Sequence, residues 1–322
     1  MTWSEPGAVG AGSPDQPNIP PEPRCELAWP VATDGVAVHY HGGSTNTSLV
    51  LAEWAHAPRW VVPRDSSRLM RGEFFYGDRA MQATELLYLY DSYLTTARAR
   101  VIAVDDQNVV LDRTVFYPRG GGQMADRGQL RSYGHPSSVI AVEKRGDAVF
   151  HTLDGDIPDV GSQVECHIDW EYRYQMMRTH TALHVLCGVI YHQYGAQVTG
   201  CQMYPDKARM DFTLADLSKE RLDDIDRLSN QAIMSGFPVR TSWIPRERAN
   251  FMPELVRTKI NLVPPQVDPI RTVEIVGLDL QADGGTHVAN TLEVGSLRIV
   301  RAENKGRDNR RIQIELFSPV VQ

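Results

Sequence analysis

The sequence predicts an α+β protein. A β-barrel-like domain is followed by a domain of helices set against a mostly antiparallel sheet, with a candidate metal site between helix and sheet. Three observations carry this reading. From Leu86 to Asp169 the chain runs as short alternating strands joined by tight turns; at Asp169 it changes to the period of a long helix. The third is chemical: His180 and His184, four apart on that helix, project from one face, and His287 follows two glycines in a later loop.

The chain has 322 residues, of which 42% are hydrophobic, enough for two domains with their own cores. No apolar run is long enough for a membrane span, and the amino terminus lacks the basic-then-apolar order of a secretory signal. The four cysteines (Cys25, Cys166, Cys187 and Cys201) are far apart with no Cys-x-x-Cys pair, so no disulfide framework is expected and a reducing cytoplasm is. A formal net charge of −7 excludes a protein that coats nucleic acid indiscriminately, although a local basic patch remains compatible with it.

Residues 1–24, rich in Pro, Gly and Ser and carrying Pro20-Pro21-Glu22-Pro23, are expected to be a disordered tail. Residues 25–85 alternate short apolar runs with turn residues and are expected to form a strand-rich extension of unassigned role. The barrel-like domain, residues 86–169, pairs Arg98–Asp105 with Asn108–Asp112 across Asp105-Asp106-Gln107, and Ser137–Lys144 with Ala148–Leu153 across Arg145-Gly-Asp147. Within it lies Phe116-Tyr-Pro-Arg-Gly-Gly-Gly-Gln-Met-Ala-Asp126. Consecutive glycines there permit positive φ and close approach to another molecule or domain.

In residues 170–322 a helix starts at an Asp169 N-cap and ends near Gly195, with Tyr172, Met176, Leu183, Cys187, Ile190 and Tyr191 marking its buried face. His180 and His184 lie along that face. Strands are expected at Ala196–Cys201 and Ala208–Phe212. They precede an amphipathic helix of Leu222, Ile225, Leu228, Ala232 and Ile233 closed by Gly236. Further strands at Thr272–Val276 and Leu297–Arg301 flank the Gly284-Gly285 loop. The helical pair leaves coordination positions to be filled from elsewhere, and His287 is the natural third ligand.

The motifs Leu89-Tyr-Asp-Ser-Tyr-Leu94, Phe116-Tyr-Pro-Arg-Gly-Gly-Gly-Gln123, His180-Thr-Ala-Leu-His184, Asp206-Lys-Ala-Arg-Met-Asp-Phe212, Gly284-Gly-Thr-His-Val288 and Glu303-Asn-Lys-Gly-Arg-Asp-Asn-Arg-Arg-Ile312 occur in order. In this the chain resembles the alanyl-tRNA editing proteins of the AlaX type, relatives of the editing domain of alanyl-tRNA synthetase. The resemblance runs from about Leu86 to the carboxyl terminus; nothing in residues 1 to about 80 is expected to match.

The resemblance implies a trans-acting deacylase that hydrolyses the ester of a mischarged tRNA, serine or glycine on the tRNA for alanine. It also implies one zinc ion per chain, held by His180, His184 and His287. The family's fourth ligand is a cysteine four residues before the last histidine, and this chain has Asp283 there. Several outcomes stay open: a three-His, one-Asp zinc site; another divalent metal such as Mn or Fe; a three-His metal with Asp283 free to orient or deprotonate a water; or loss of both metal and activity.

Thr181 and Gln202 lie near the ligands in the motifs and are candidate pocket side chains, with local capping and strand pairing as the alternative. Gly120, Gly121, Gly122 and Gln123 are candidates for the substrate side of the cleft. Lys305, Arg310 and Arg311, with Arg298, Arg301 and Arg307, form a cationic stretch suited to the tRNA acceptor end, or else to a solvated strand edge. No membrane contact is expected and no obligatory protein partner is evident. A relative acting on another aminoacyl ester, as hydrolase or transferase, and a non-catalytic tRNA-binding protein are the competing readings.

Overall fold

The computed structural model describes residues 74–76, 79–81 and 83–317, apart from 260, 262 and 308. The expected tail, and nearly all of the expected strand-rich extension, lie outside the described residues. At the end of that extension β1 (Phe74–Tyr76) and β2 (Arg79–Met81) pair antiparallel, and β3 (Glu85–Leu86) follows.

The barrel is built from β4 (Thr96–Asp105), β5 (Asn108–Leu111), β7 (Gly128–Ser132), β8 (His135–Arg145), β9 (Ala148–Asp154) and β10 (Gln163–Ile168), while the short β6 (Arg113–Thr114) pairs with β3 in parallel. The six strands close in the order β10-β4-β5-β9-β8-β7. Closure removes the free edges that an open sheet would expose. Val101, Val109, Leu111, Phe116, Leu130, Val139, Val149, Leu153 and Val164 fill the interior. Each such side chain contributes about 1.5–3 kcal/mol by leaving water.

The turns follow the sequence: Asp106 has φ 52° between β4 and β5, and Gly146 has φ 60° between β8 and β9. The seam between β7 and β10 is tight. At Gly128 a Cβ would stand 2.8 Å from the Ile168 Cα, so only hydrogen fits there.

α1 (Trp170–Tyr194) leaves the barrel directly. Asp169 caps it by accepting from the Tyr172 N–H, and Gly195, with φ 62°, ends it in the left-handed conformation. The expected single buried face understates the burial. Every residue from Met176 to Ile190 is buried, so α1 is the central helix of the second domain.

Around it the chain adds β11 (Val198–Tyr204), β12 (Lys207–Phe212), α2 (Lys219–Met234), β13 (Val239–Ile244), the short α3 (Arg246–Ala249), β14 (Ile270–Ile275), β15 (Asp279–Ala282), β16 (Ser296–Gly306) and β17 (Asn309–Phe317). Two antiparallel sheets result, ordered β11-β12-β17-β16 and β13-β14-β15. The core of Met176, Leu183, Leu186, Ile190, Met210, Phe212, Ile225, Ile233, Ile275 and Ile312 joins α1 and α2 to them. Among the described residues Cys166 and Cys201 are free thiols. No described helix is long and apolar enough to cross a membrane.

One buried ion pair fastens barrel to helix. Arg173, in the first turns of α1 and wholly buried, bonds both carboxylate oxygens of Asp126, the residue that closes the glycine-rich loop. Its remaining donors reach the Ser92 and Val115 carbonyls, 2.9 and 2.6 Å away. A buried guanidinium is tolerable only when its fork is satisfied in this way.

Candidate functional site

α1 carries His180 and His184 one turn apart, and the loop after β15 brings Asp283 and His287 to them. The ligand atoms of these four residues all lie within 4.8 Å of one another, and all four residues are buried. Asp283 Oδ2 stands 3.4 Å from His180 Nε2 and 3.8 Å from His184 Nε2, with Oδ1 3.9 Å from His287 Nδ1. The backbone shapes this loop around the side chains. Gly285 N–H donates to Asp283 Oδ1 at 2.6 Å, and a Cβ on Gly285 would stand 2.6 Å from His180 Nδ1.

The outer nitrogens of the helical pair are tied back. His180 Nδ1 lies 3.1 Å from Gln123 Oε1, an oxygen that can only accept, so Nδ1 carries the proton and Nε2 points inward. Gln123 is itself held by Thr286, donating to its Oγ1 at 2.9 Å and accepting from its N–H at 3.3 Å. His184 Nδ1 donates to Asp279 Oδ2 at 3.1 Å. Asp279 also accepts from Gln281 Nε2 and stands 3.5 Å from Arg257 Nη1. These are the outer-shell bonds that select the tautomer of a metal-ligating histidine.

Two observations test whether a cation fits. His184 Nε2 and both ring nitrogens of His287 are buried without a hydrogen-bond partner among the described residues, an arrangement that a metal ion would satisfy. The charges agree. Burial, and then the neighbouring His180 and His184, hold His287 well below the usual imidazole range. Burial likewise lowers His180. At His184 burial opposes charge, but the Asp279 and Asp283 carboxylates outweigh it and raise the pKa to about 9. Burial would raise Asp283, yet the facing histidines hold it well below the usual carboxylate range. Neutral His180 and His287 beside an ionised Asp283 are in the protonation states that ligate metal, and three imidazoles with one carboxylate are a donor set suited to a divalent cation.

The other expected site residues fall outside this centre. The Thr181 hydroxyl donates to Met177 O and accepts from Val288 N–H, so it fastens the His287 loop to α1. Gln202 Nε2 donates to Gly122 O at 2.9 Å, beside the Met203 N–H bond to the same carbonyl. Gly121 and Gly122, with φ of 57° and 82°, and Gly120, bridged to Gln123, thus dock the barrel's loop on β11 of the second domain. The close approach expected of these glycines is made to a domain of the same chain.

Lys305 pairs with Glu303 at 2.6 Å, and Arg311 with Asp211 through bonds of 2.7 and 2.8 Å. Arg310 bonds carbonyls of its own hairpin and of Ala215. Part of the expected cationic stretch is therefore neutralised within its sheet. Sequence reasoning missed Asp279 and Arg271; the latter donates to the Asp283 and Leu89 carbonyls at 2.7 and 2.9 Å.

Fold and cluster together define a closed barrel followed by an α+β domain, with a four-residue donor set buried between the central helix and the loop after β15. The chain matches the family described as tRNA synthetases class II (A) over residues 65–172. Over residues 270–313 it matches the threonyl and alanyl tRNA synthetase second additional domain. It is 38% identical over 240 residues to the alanyl-tRNA editing protein AlaX-M of Methanosarcina barkeri, covering 72% of this chain and 99% of the relative. With AlaX-M of Saccharolobus solfataricus the identity is 39% over 234 residues, 71% and 97% of the two chains. The chain belongs to the AlaX-M family of alanyl-tRNA editing proteins.

An alanine–tRNA ligase of Hyperthermus butylicus is 35% identical over 320 residues, 96% of this chain and 33% of the ligase. That match enters the first 85 residues, and the class II model begins at residue 65. Both correct the expectation that nothing before about residue 80 matches.

Proposed function

We propose that this protein is a trans-acting aminoacyl-tRNA deacylase that removes serine or glycine from the tRNA for alanine, with one zinc ion held by His180, His184, Asp283 and His287. The observation that carries the reading is the convergence of these four residues within 4.8 Å at a buried centre, in a chain of the alanyl-tRNA editing family. When bound, zinc would supply Lewis acidity toward the ester carbonyl and a lowered pKa for water.

The chain's own residues set up that chemistry. Gln123 and Asp279 hold the His180 and His184 rings with Nε2 inward. The Gly285 N–H and Arg271 hold Asp283, whose Oδ2 faces the helical pair. The burial of the whole centre limits water to what the site positions. On this reading residues 86–169 and 170–322 act as one unit, and the hairpin carrying Lys305, Arg307 and Arg310 serves the acceptor end even though Lys305 shares its charge with Glu303. Discrimination against alanine calls for a group that bonds a serine hydroxyl.

The test is a panel of tRNAs for alanine charged with serine, glycine or alanine, with elemental analysis of protein purified without added metal. Expected are one zinc per chain, turnover of the serine and glycine esters, and sparing of the alanine ester. In His180→Ala both zinc and turnover should be lost; full activity in that variant without bound metal would overturn the site. Asp283 in place of a thiolate motivates a second reading, a relative recruited to another aminoacyl ester. Turnover of a different charged tRNA alone would favour it.

A further inference from the structure

We infer that Tyr90 and Trp243 form a stacking platform for the unpaired terminal base of the acylated nucleic acid. Their rings lie 5.7 Å apart at 36°, and they are 69% and 38% exposed, an aromatic pair left open to water, Tyr90 from the turn after Leu89 and Trp243 from the edge strand β13. The inference rests on the deacylase reading and names where that substrate's last nucleoside is gripped.

Strand register ties the pair to the buried centre. Trp243 on β13 is directly opposite Arg271 on β14, and Asp283 N–H donates to Arg271 O just beyond the end of β15. Directly opposed residues share a face of the sheet. The alternate face is fixed independently: Ser242 and Thr272, the neighbouring pair, join hydroxyls at 2.7 Å, and Ile244, Ile270 and Ala282 make a separate apolar cluster. Trp243, Arg271 and Asp283 therefore line one face, with Trp243 two strand spacings, about 10 Å, from Asp283.

Arg271 closes the geometry. It donates to Asp283 O on one side and to Leu89 O on the other, which places the Tyr90 turn over the same end of the sheet. An ester carbonyl held at the cluster leaves its nucleoside base one ribose further out, and this pair is the exposed aromatic surface on that face of the sheet. Exposed aromatic faces at that distance match a purine without demanding a hydrogen-bond code, because every base offers a π-face. Arg271 itself is buried and engaged, so the platform acts by stacking and not by charge.

The probe is uncharged tRNA with 2-aminopurine in place of the terminal adenine, since stacking quenches its fluorescence. Wild type is expected to quench the signal on binding. The double variant Tyr90→Ala/Trp243→Ala should bind the tRNA body but leave the signal unquenched, and Trp243→Phe should restore most of the quenching. With charged tRNA the double variant is expected to raise KM on the order of tenfold while kcat changes little. Both residues are at the surface, so unchanged thermal unfolding checks the fold.

Quenching and KM equal to wild type in the double variant would overturn the platform. Because the fluorescence readout needs only binding, a wild type that quenches but hydrolyses no ester would defeat the deacylase reading and leave the platform standing. A wild type that binds no tRNA would defeat both.

Discussion

Gln123 belongs to the barrel and His180 to the central helix, yet the Gln123 Oε1 lies 3.1 Å from the His180 Nδ1 and fixes which ring nitrogen faces the cluster. The bond crosses the domain boundary, and so does the Gln123 bond to Thr286. Removing the amide should loosen the ring without removing a ligand. Gln123→Ala is expected to weaken zinc binding about 10–100-fold, measured by chelator competition. Affinity equal to wild type would mean that the ring is oriented by packing alone.

Asp283→Cys is expected to raise zinc affinity, because thiolate is the softer and more strongly donating ligand. The substitution gives up the bond from Gly285 N–H, so the gain is smaller than ligand chemistry alone would produce. Zinc content and affinity are the measurements. No change in either would show that Asp283 does not face the metal.

Arg173→Met should cost about 3–5 kcal/mol in urea unfolding, since it strands the buried Asp126 carboxylate and two carbonyl acceptors. Adding Asp126→Leu should recover part of the loss by removing the unpaired charge. A single variant as stable as wild type would show that barrel and helix are held by apolar contact.

His151 predicts an acid limit on the barrel. Its Nδ1–H donates to Val109 O and its Nε2 accepts from the Thr114 hydroxyl, which in turn accepts from Phe116 N–H. Burial lowers its pKa from 6.5 to about 4. Above pH 6.5 the residue is neutral in folded and unfolded chains and has no pH effect. Below that the unfolded chain takes up the proton first, so stability is lost as pH falls and levels off near 4, a total of about 3 kcal/mol. Unfolding curves of wild type and His151→Gln across this range isolate the effect; parallel losses in the two would discount it.

Local chemistry made much of this legible. Asp169 and Gly195 bound α1 where a cap and a left-handed stop require, and the spacing of His180 and His184 put both on one flank of it. The loop carrying His287 was visible from its glycines. The barrel was legible as strands, yet its closure was not, because β7 and β10 meet through a pairing that no turn between them announces. The partner of Gln123 was not legible for the same reason, whereas for Thr181 and Gln202 local bonding was one of the two readings left open. Gln123 meets Thr286 across 163 residues, and polar side chains near a motif do not declare whether they face a substrate or a neighbouring segment. Lys305 and Arg311 read as free cations until the sheet set Glu303 and Asp211 beside them.

The order of the donor set along the chain has a consequence for biosynthesis. Gln123 is made first, then His180 and His184, and only near the end Asp283 and His287. A chain synthesised only as far as α1 holds the helical histidine pair but lacks Asp283 and His287, so its centre is incomplete. Competence for binding a metal therefore arrives only when the loop after β15 has been made.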